Sequence, residues 1–544
     1  MQIKYRCMIS VMSLAMLASC SNEKYVKNIT TSNLAPKTTC TWDTSVPLSY
    51  EERRLETPLP YSGINVVGNN SAPLATRIIN GTGFEDFTPA FKASLCAEDG
   101  TTTLSNFKQA METVNRSGEQ LWRAAVDRAQ NKRVRKPSET LPSSEDRMLY
   151  WTRVQMTKAL RQWNPHFALT LKQKEQLQWA FEKSSRGQND INLPKGTTAN
   201  GKVYRRMIIS GFDVFTLGTP GEVNMGLRNG NPTGAIALAL DGKEFTLSDG
   251  SILHIESYIL PVSYDPFRKG MQEDTLGPWF KKGPQRVDAS ITMSQGASNI
   301  FWLEQYNGRY HGTYPGNDGM IYCQSNSLPK DVLAVGTQIS VDAEPITHIG
   351  SGCNIVVQED WYRSNTSSQW IKDSPPQFTK ASLPYKKILE SQTQRGIVRP
   401  IGATSEGTEG FDVTWHTNYT YFPDCSVYST INQAWHGVVN KMPDLSTVKD
   451  PDPTWCARRG GGGDYLSNES GYRNTLLRDV MGLNIPAGHV HVPVMNYYYD
   501  GTVINGGGTR DDNSITDTRY ESYRTAIIGQ SINLLKVIGE SLIQ

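Results

Sequence analysis

The sequence predicts an α/β protein: an α/β/α sandwich with a mostly parallel central sheet, carrying an N-terminal helical extension and a long insert. Three observations predict it. Short apolar stretches of strand length ("YRRMIISGFDVF", "HIESYILPVSY", "VDASITMSQG", "HVHVPV") are separated by helical stretches and punctuated by glycine. Apolar residues recur at threes and fours upstream of them, as in an amphipathic helical bundle. At 544 residues the chain exceeds one ordinary core, so two units or one extended α/β unit are expected. A charged fraction of 20% fits a globular chain, and a net charge of +2 gives no electrostatic reason for a nucleic-acid partner.

The N-terminus, "MQIKYRCMISVMSLAMLASC", sets Lys4 and Arg6 before an apolar stretch and small residues before Cys20. That is the layout of an export signal. The cysteine after "LAS" resembles a bacterial lipobox, in which residues 1–19 are removed and Cys20 is lipidated. The expectation is a protein of the bacterial cell envelope, tied to a membrane through Cys20; an ordinary secretory signal with an incidental cysteine is the alternative. With Cys7 and Cys20 set aside, Cys40, Cys96, Cys323, Cys353, Cys425 and Cys456 remain, an even number suited to disulfides in an exported chain. Among about 15 connectivities, nearest-neighbour pairing (Cys40 with Cys96, Cys323 with Cys353, Cys425 with Cys456) is the simplest. None of these cysteines has zinc-site spacing.

Residues 20–101 are rich in Thr, Asn, Pro and Gly and read as tether and irregular packing. Residues 102–190 read as a helical subdomain: "LSNFKQAMETVNRSGEQLWRAAVDRAQ", "SSEDRMLYWTRVQMTKALRQW" with Ser144 and Asp146 in a first turn, and "TLKQKEQLQWAFEKSSRG" ending at Gly187. The sheet domain follows from 204 to 544 and ends in a long amphipathic helix from Ser514 to Ile543. Its interior, about 312–460, is rich in Ser, Thr, Pro, Asn and aromatic residues and reads as a stapled, partly β-like elaboration.

In such sheets working residues collect at the carboxyl ends of the strands, here Ser210–Phe215, Ser294–Asn299 and the segment around His491. The stretch "GGGGDYLSNES" runs glycines into Ser467 at the start of a helix. A hydroxyl there would sit at the positive end of the helix, among N–H groups able to hold an oxyanion. His491 could take its proton and Glu304 could orient the imidazole. A serine in that place is also a common N-cap. His489, two residues from His491 on the same strand face, could share a metal with it or form a pocket wall; Arg458 and Arg459 could bind a carboxylate or solvate a loop.

"ISGFDVF" (Ile209–Phe215) resembles the opening GFxxF strand of the pyroglutamyl peptidase I family. "NGNPTGAIALALDG" resembles its NPS-type turn and helix, "YILPVSY" its LPV strand, and "SQGAS" with Glu304 its GQA…E region. "GNDG" (Gly316–Gly319), "GGDYLSN" and "AGHVHVP" resemble its DNDG, AGTYxCN and GFIHVP segments, all in the family's order from about Tyr204 onward. The resemblance implies a catalytic set of Ser467 as nucleophile, His491 and Glu304. It also implies Phe212, Phe215 and Gln295 around the lactam ring of an N-terminal pyroglutamate, oxyanion donors near Gly463 and Asn468, a peptide or other amide as substrate, and no cofactor or metal. Serine stands where the family has cysteine, and "ASN" replaces the Gly-Gly-Arg after its glutamine. A thiolate in an oxidising envelope would be open to oxidation or mispairing; a hydroxyl is a much weaker acid and needs His491 as a true general base. Two readings stay open: a hydrolase with a Ser-His-Glu triad, and an inactive envelope lipoprotein binding a peptide or glycan in the same pocket.

Overall fold

The structure is a computed structural model. It describes residues 39–543 apart from 58–71, 98, 101–103, 216, 219, 221–224, 321–322, 324–347, 350–351, 366–374, 402–404, 424, 426–433, 437–438, 441–448, 496–514 and 517. Lys4, Arg6 and Cys20, which carry the export and lipidation expectations, lie outside the described residues.

The centre of the molecule is an eight-stranded sheet built from β1 (Tyr204–Phe212), β2 (Lys243–Thr246), β3 (Ile252–Leu260), β4 (Ala289–Gln295), β5 (Ile300–Glu304), β6 (Asp412–His416), β7 (Val439–Asn440) and β8 (Ala487–Val492). Their order across the sheet is β7-β6-β5-β8-β4-β1-β3-β2. The central run β8-β4-β1-β3 is parallel, as is the pair β6-β5; β5 runs against β8, and the edge strands β2 and β7 run against their neighbours.

Side chains on a strand alternate between faces, and the alternation here defines three layers. Met207 and Ile209 of β1, Ile291 and Met293 of β4, Phe301 and Leu303 of β5, and Val490 and Val492 of β8 share one apolar core with Ile236, Leu534 and Leu535. Those three belong to helices α6 (Pro232–Leu240) and α9 (Thr518–Glu540). On the opposite face Ile208, Tyr258 and Leu260 pack with Leu276 and Leu476, from α7 (Met271–Phe280) and α8 (Leu466–Val480). The sandwich therefore has helices on both faces, as the strand texture predicts.

Helix α6 starts where the sequence dictates. Pro232 stands in its first turn, where a missing N–H costs nothing, and the Asn231 carboxamide oxygen accepts from Thr233 N at 3.1 Å. The same Asn231 donates through Nδ2 to the Asp213 carbonyl at 2.8 Å, and Phe212 N donates to Thr233 Oγ1 at 3.0 Å. The turn thereby fixes the end of β1.

The N-terminal helices are α1 (Leu74–Thr82), α2 (Phe87–Leu95), α3 (Phe107–Ala129), α4 (Arg147–Gln162) and α5 (Leu171–Ser184). The first two correct the reading of 20–101 as irregular throughout. Leu74, Ala75, Ile78 and Ile79 do form a buried stripe in α1. Thr, Asn and Gly between them dilute the helical signal, and burial against α4 overrides weak propensity. The helices share one core with Val214, Leu217, Ala237 and Ile259 of the sheet part. All three nearest-neighbour disulfides are present: Cys40–Cys96, Cys323–Cys353 and Cys425–Cys456.

A second correction concerns the insert. It supplies β6, parallel to β5, and the edge strand β7, so part of it is central sheet rather than elaboration. The C-terminal helix falls within the expected stretch, although Ser514 lies outside the described residues.

The helical region also holds the loop after β1. Asp213 Oδ2 accepts from Arg153 Nη2 at 2.7 Å and from Arg186 Nε and Nη2 at 3.1 and 2.9 Å, and Glu182 pairs with both arginines. All four side chains are buried. Removing one partner of a buried network leaves uncompensated charge. Asp213→Ala is therefore expected to lower stability by about 3–5 kcal/mol, read as a shift of the urea or guanidinium unfolding midpoint.

Candidate active site

One patch of the central sheet breaks the apolar rule. On the face toward α8, β4 presents Ser290, Thr292 and Ser294, β8 presents His489 and His491, β5 presents Trp302 and Glu304, and β6 presents His416. Register brings them together: His491 is the partner of Ser294 and of Trp302, His489 of Thr292 and of Glu304, and His416 of Glu304. Glu304, His489, Thr292 and Ser294 are almost wholly buried. Buried polar groups persist where they are hydrogen-bonded, and these are.

Glu304 holds two imidazoles at once. Its Oε1 lies 2.6 Å from His491 Nδ1 and its Oε2 lies 2.5 Å from His416 Nδ1. Burial pushes the carboxyl up, but the charge and hydrogen bond of His416, then those of His491, hold it down at about 2. Burial lowers His416, yet the Glu304 charge and hydrogen bonds to Glu304 and to the Gly461 backbone leave it raised. Trp302 stacks on His416 with ring centroids 4.8 Å apart. His491, tied to Glu304 through Nδ1, has Nε2 as the nitrogen left for proton transfer.

Ser467 is the second residue of α8, whose N-cap is Tyr465. It is not the cap, and its hydroxyl is engaged elsewhere: Ser294 Oγ donates to Ser467 Oγ at 2.8 Å. Helix α8 approaches the sheet closely because Gly471 faces Asn307 and His489; a Cβ there would stand 2.3 Å from Asn307 Oδ1. Asn474 Nδ2 donates to the Ser290 carbonyl at 2.9 Å and fixes the helix along β4. Gly461 lies against the carboxylate, where a Cβ would be 2.1 Å from Glu304 Oε2. Among the described residues, no hydrogen bond joins Ser467 to His491.

The remaining expected site residues divide. Phe215 is partly buried against Tyr465 at 5.3 Å between ring centroids and Tyr314 at 6.2 Å, next to the Ser467 turn. Phe212 is instead a core residue, 3% exposed and stacked on Phe267, because it is the last residue of β1 and faces the short helix Tyr264–Arg268. Gln295 ends β4 opposite Val492. The Gly463 N–H is already bonded to the Gly460 carbonyl at 3.0 Å, which removes it as an oxyanion donor. The Asn468 side chain is also committed, accepting from Gly308 N and donating to the Gly308 and Tyr310 carbonyls. What stays available at that end is the first-turn backbone N–H of Asn468, which the helix itself cannot pair. Arg459 pairs with Asp464 on the surface, in keeping with a loop role.

His489 does not share a ligand position with His491. Its Nδ1 lies 2.9 Å from Thr292 Oγ1 and its Nε2 2.8 Å from Ser294 Oγ. Among the described residues, His311, Cys323 and Cys353 bring three ligand-type atoms together, but both sulfurs are spent in a disulfide.

Two family profiles match this chain: PA0049, C-terminal domain, over residues 206–496, and PA0049 N-terminal domain, over residues 32–182. The Pseudomonas aeruginosa protein named Uncharacterized protein PA0049 is 59% identical over 510 residues, covering 94% of this chain and 92% of that one. The chain belongs to the PA0049 family. Solved structures of pyrrolidone carboxyl peptidase from the hyperthermophile Pyrococcus furiosus, including mutant forms, are also similar: 16% identity, 62% of this chain and 100% of that chain covered, TM-score 0.31.

Sequence reading placed Ser294 at a working strand end without giving it a role, and missed Thr292, Trp302 and His416 in this PA0049-family site. Thr292 was visible as a polar position of "SITMSQ" and Trp302 as the position of "IFWLE" that alternates with Glu304; His416 ends "DVTWH", a strand hidden in the insert.

The Glu304 pair fixes a pH dependence. Its depressed carboxyl contributes stability that is present above the usual Glu range near 4.5 and is lost as pH falls toward about 2. His416, being raised, contributes stability that is present below the usual His range and is lost as pH climbs through its folded value. Unfolding midpoints measured from pH 5 to 2 are expected to fall less steeply in Glu304→Gln than in the wild type, with about 3 kcal/mol of pH-dependent stability missing.

Proposed function

We propose that this chain is an amide hydrolase of the bacterial cell envelope, anchored by lipid at Cys20, that cleaves the bond after a cyclised N-terminal residue. The observation that carries the reading is that Ser467 of α8 is hydrogen-bonded to the sheet face that carries His491 and Glu304. A half-buried hydroxyl at a helix N-terminus stands one register pair from an imidazole whose other nitrogen is held by an ionised carboxylate. The motif order shared with pyroglutamyl peptidases supports the substrate class, and the aromatic group of Phe215, Tyr314 and Tyr465 beside Ser467 offers an apolar wall for a small ring.

In this mechanism Ser467 Oγ forms a bond to the carbonyl carbon while its proton passes to His491 Nε2. Glu304 balances the imidazolium, and the Asn468 N–H faces the developing oxyanion. The C–N bond breaks and His491 returns the proton to the leaving amine. Water then attacks the acyl carbon, giving one proton to His491, and the Oγ–C bond breaks as Ser467 regains it.

A second reading, a pocket that binds a peptide or glycan without turnover, is favoured by the missing hydrogen bond between Ser467 and His491. Apo hydrogen bonds of this kind are often loose and tighten on substrate. A chromogenic pyroglutamyl amide and a panel of acyl amides separate the two. Wild type is expected to release the chromophore, and Ser467→Ala and His491→Ala to lose at least about a thousandfold in kcat/KM, with the unfolding midpoint unchanged in Ser467→Ala and lowered in His491→Ala, which strips a buried partner from Glu304. Binding by wild type without release would establish the second reading.

A further inference from the structure

The Ser467 hydroxyl has a neighbour that the triad does not use. Ser294 Oγ is 2.8 Å from Ser467 Oγ and 2.8 Å from His489 Nε2, while His489 Nδ1 is 2.9 Å from Thr292 Oγ1. This is one continuous chain of hydrogen bonds ending on the proposed nucleophile. His489 and Ser294 are sealed from solvent, at 0% and 4% exposure.

The chain has a direction. Burial, with the His491 charge adding to it, keeps His489 well below its usual range, so it is a neutral ring with one N–H and one lone pair. Such a ring is a poor acceptor for the Ser467 proton, whereas His491, backed by Glu304, is equipped to take it. With the Ser467 proton directed to His491, the Ser294 hydroxyl is left to donate. Thr292 Oγ1–H, which has the Gly488 carbonyl at 3.3 Å as a second acceptor, then donates to the nearer His489 Nδ1 at 2.9 Å, His489 Nε2–H to Ser294 Oγ, and Ser294 Oγ–H to Ser467 Oγ. In this sense the Ser294 hydroxyl both accepts and donates, and each His489 nitrogen is used once.

We infer that Ser294 is a further catalytic residue, whose hydroxyl donates to Ser467 Oγ and stabilises the negative charge that grows there as the proton leaves, with His489 and Thr292 as positioning residues that hold Ser294 in the donating sense. This rests on the reading of Ser467 as nucleophile, and it explains how a hydroxyl serves where the resembling family uses a more acidic thiol. A donor aimed at a developing oxyanion in a water-poor site contributes far more than the same bond in water. The donor acts on Oγ itself, so its loss lowers the rate at every pH without moving the ionisation of His491.

The test uses a fluorophosphonate probe on the full-length protein, which needs no knowledge of the natural substrate. Oγ attacks phosphorus, the O–P bond forms, fluoride leaves, and the Ser467 proton passes to His491. Labelling rates are followed by intact mass against pH for wild type, Ser294→Ala, Ser294→Cys (same shape, weak donor) and Ser467→Ala. Labelling of wild type at Ser467 is expected. Ser294→Ala should drop the plateau rate 10-fold to 1,000-fold with the acid limb unmoved, and Ser294→Cys should fall between. Equal plateau rates in wild type and Ser294→Cys, with Ser467 still labelled, overturn the role of Ser294 alone. A shifted acid limb in place of a lowered plateau also overturns it, because that marks disturbance of His491. Absence of Ser467 labelling in wild type overturns the nucleophile reading and this inference together.

Discussion

A single buried carboxylate organises the candidate site. Glu304 cannot remain ionised inside the sheet without compensation, since desolvation of an isolated charge is prohibitive. Two imidazoles supply that compensation. The demand reaches outward: it requires β5 to run between β8 and β6 so that both histidines meet one side chain. It requires glycine at 461, where any side chain would displace the carboxylate. It also accounts for the antiparallel reversal of β5 against β8, which sets Glu304 opposite His489 yet within diagonal reach of His491.

The polar face has a structural cost that the rest of the chain offsets. On β1 and β3 the α8 side is largely apolar, with Ile208, Tyr258 and Leu260 packed under helices, whereas β4, β8, β5 and β6 carry a hydrogen-bonded layer on that side. The opposite face stays apolar along those same strands. The buried ion network of Arg153, Arg186, Glu182 and Asp213 fixes the loop that leads from β1 toward Phe215, so the helical region acts on the neighbourhood of the site and not as a separate appendage.

The legible parts of the sequence were those whose signal is local. Strand and helix periodicity gave the layered α/β architecture, and cysteine adjacency gave the three disulfides. Motif order pointed to Ser467, His491 and Glu304, which the fold brings to one face. What could not be read depended on long-range pairing. His416 sits in an insert whose strand is identifiable only once β6 is seen beside β5, and Phe212 turned inward because the end of β1 is covered by the short helix Tyr264–Arg268 that carries Phe267. The oxyanion role assigned to Gly463 failed for a similar reason, since its N–H has a partner in the turn at Gly460, and at Asn468 only the side chain is committed, to the 308–310 segment, leaving its backbone N–H.

The central claim, an ionised Glu304 shared by two histidine ring N–H groups, is tested most directly by proton NMR of the imidazole N–H signals in uniformly nitrogen-labelled protein. The account predicts two strongly downfield Nδ1–H resonances near neutral pH, assigned to His491 and His416 by single substitution and both lost in Glu304→Gln. Finding neither resonance, or finding both unchanged in Glu304→Gln, would contradict it.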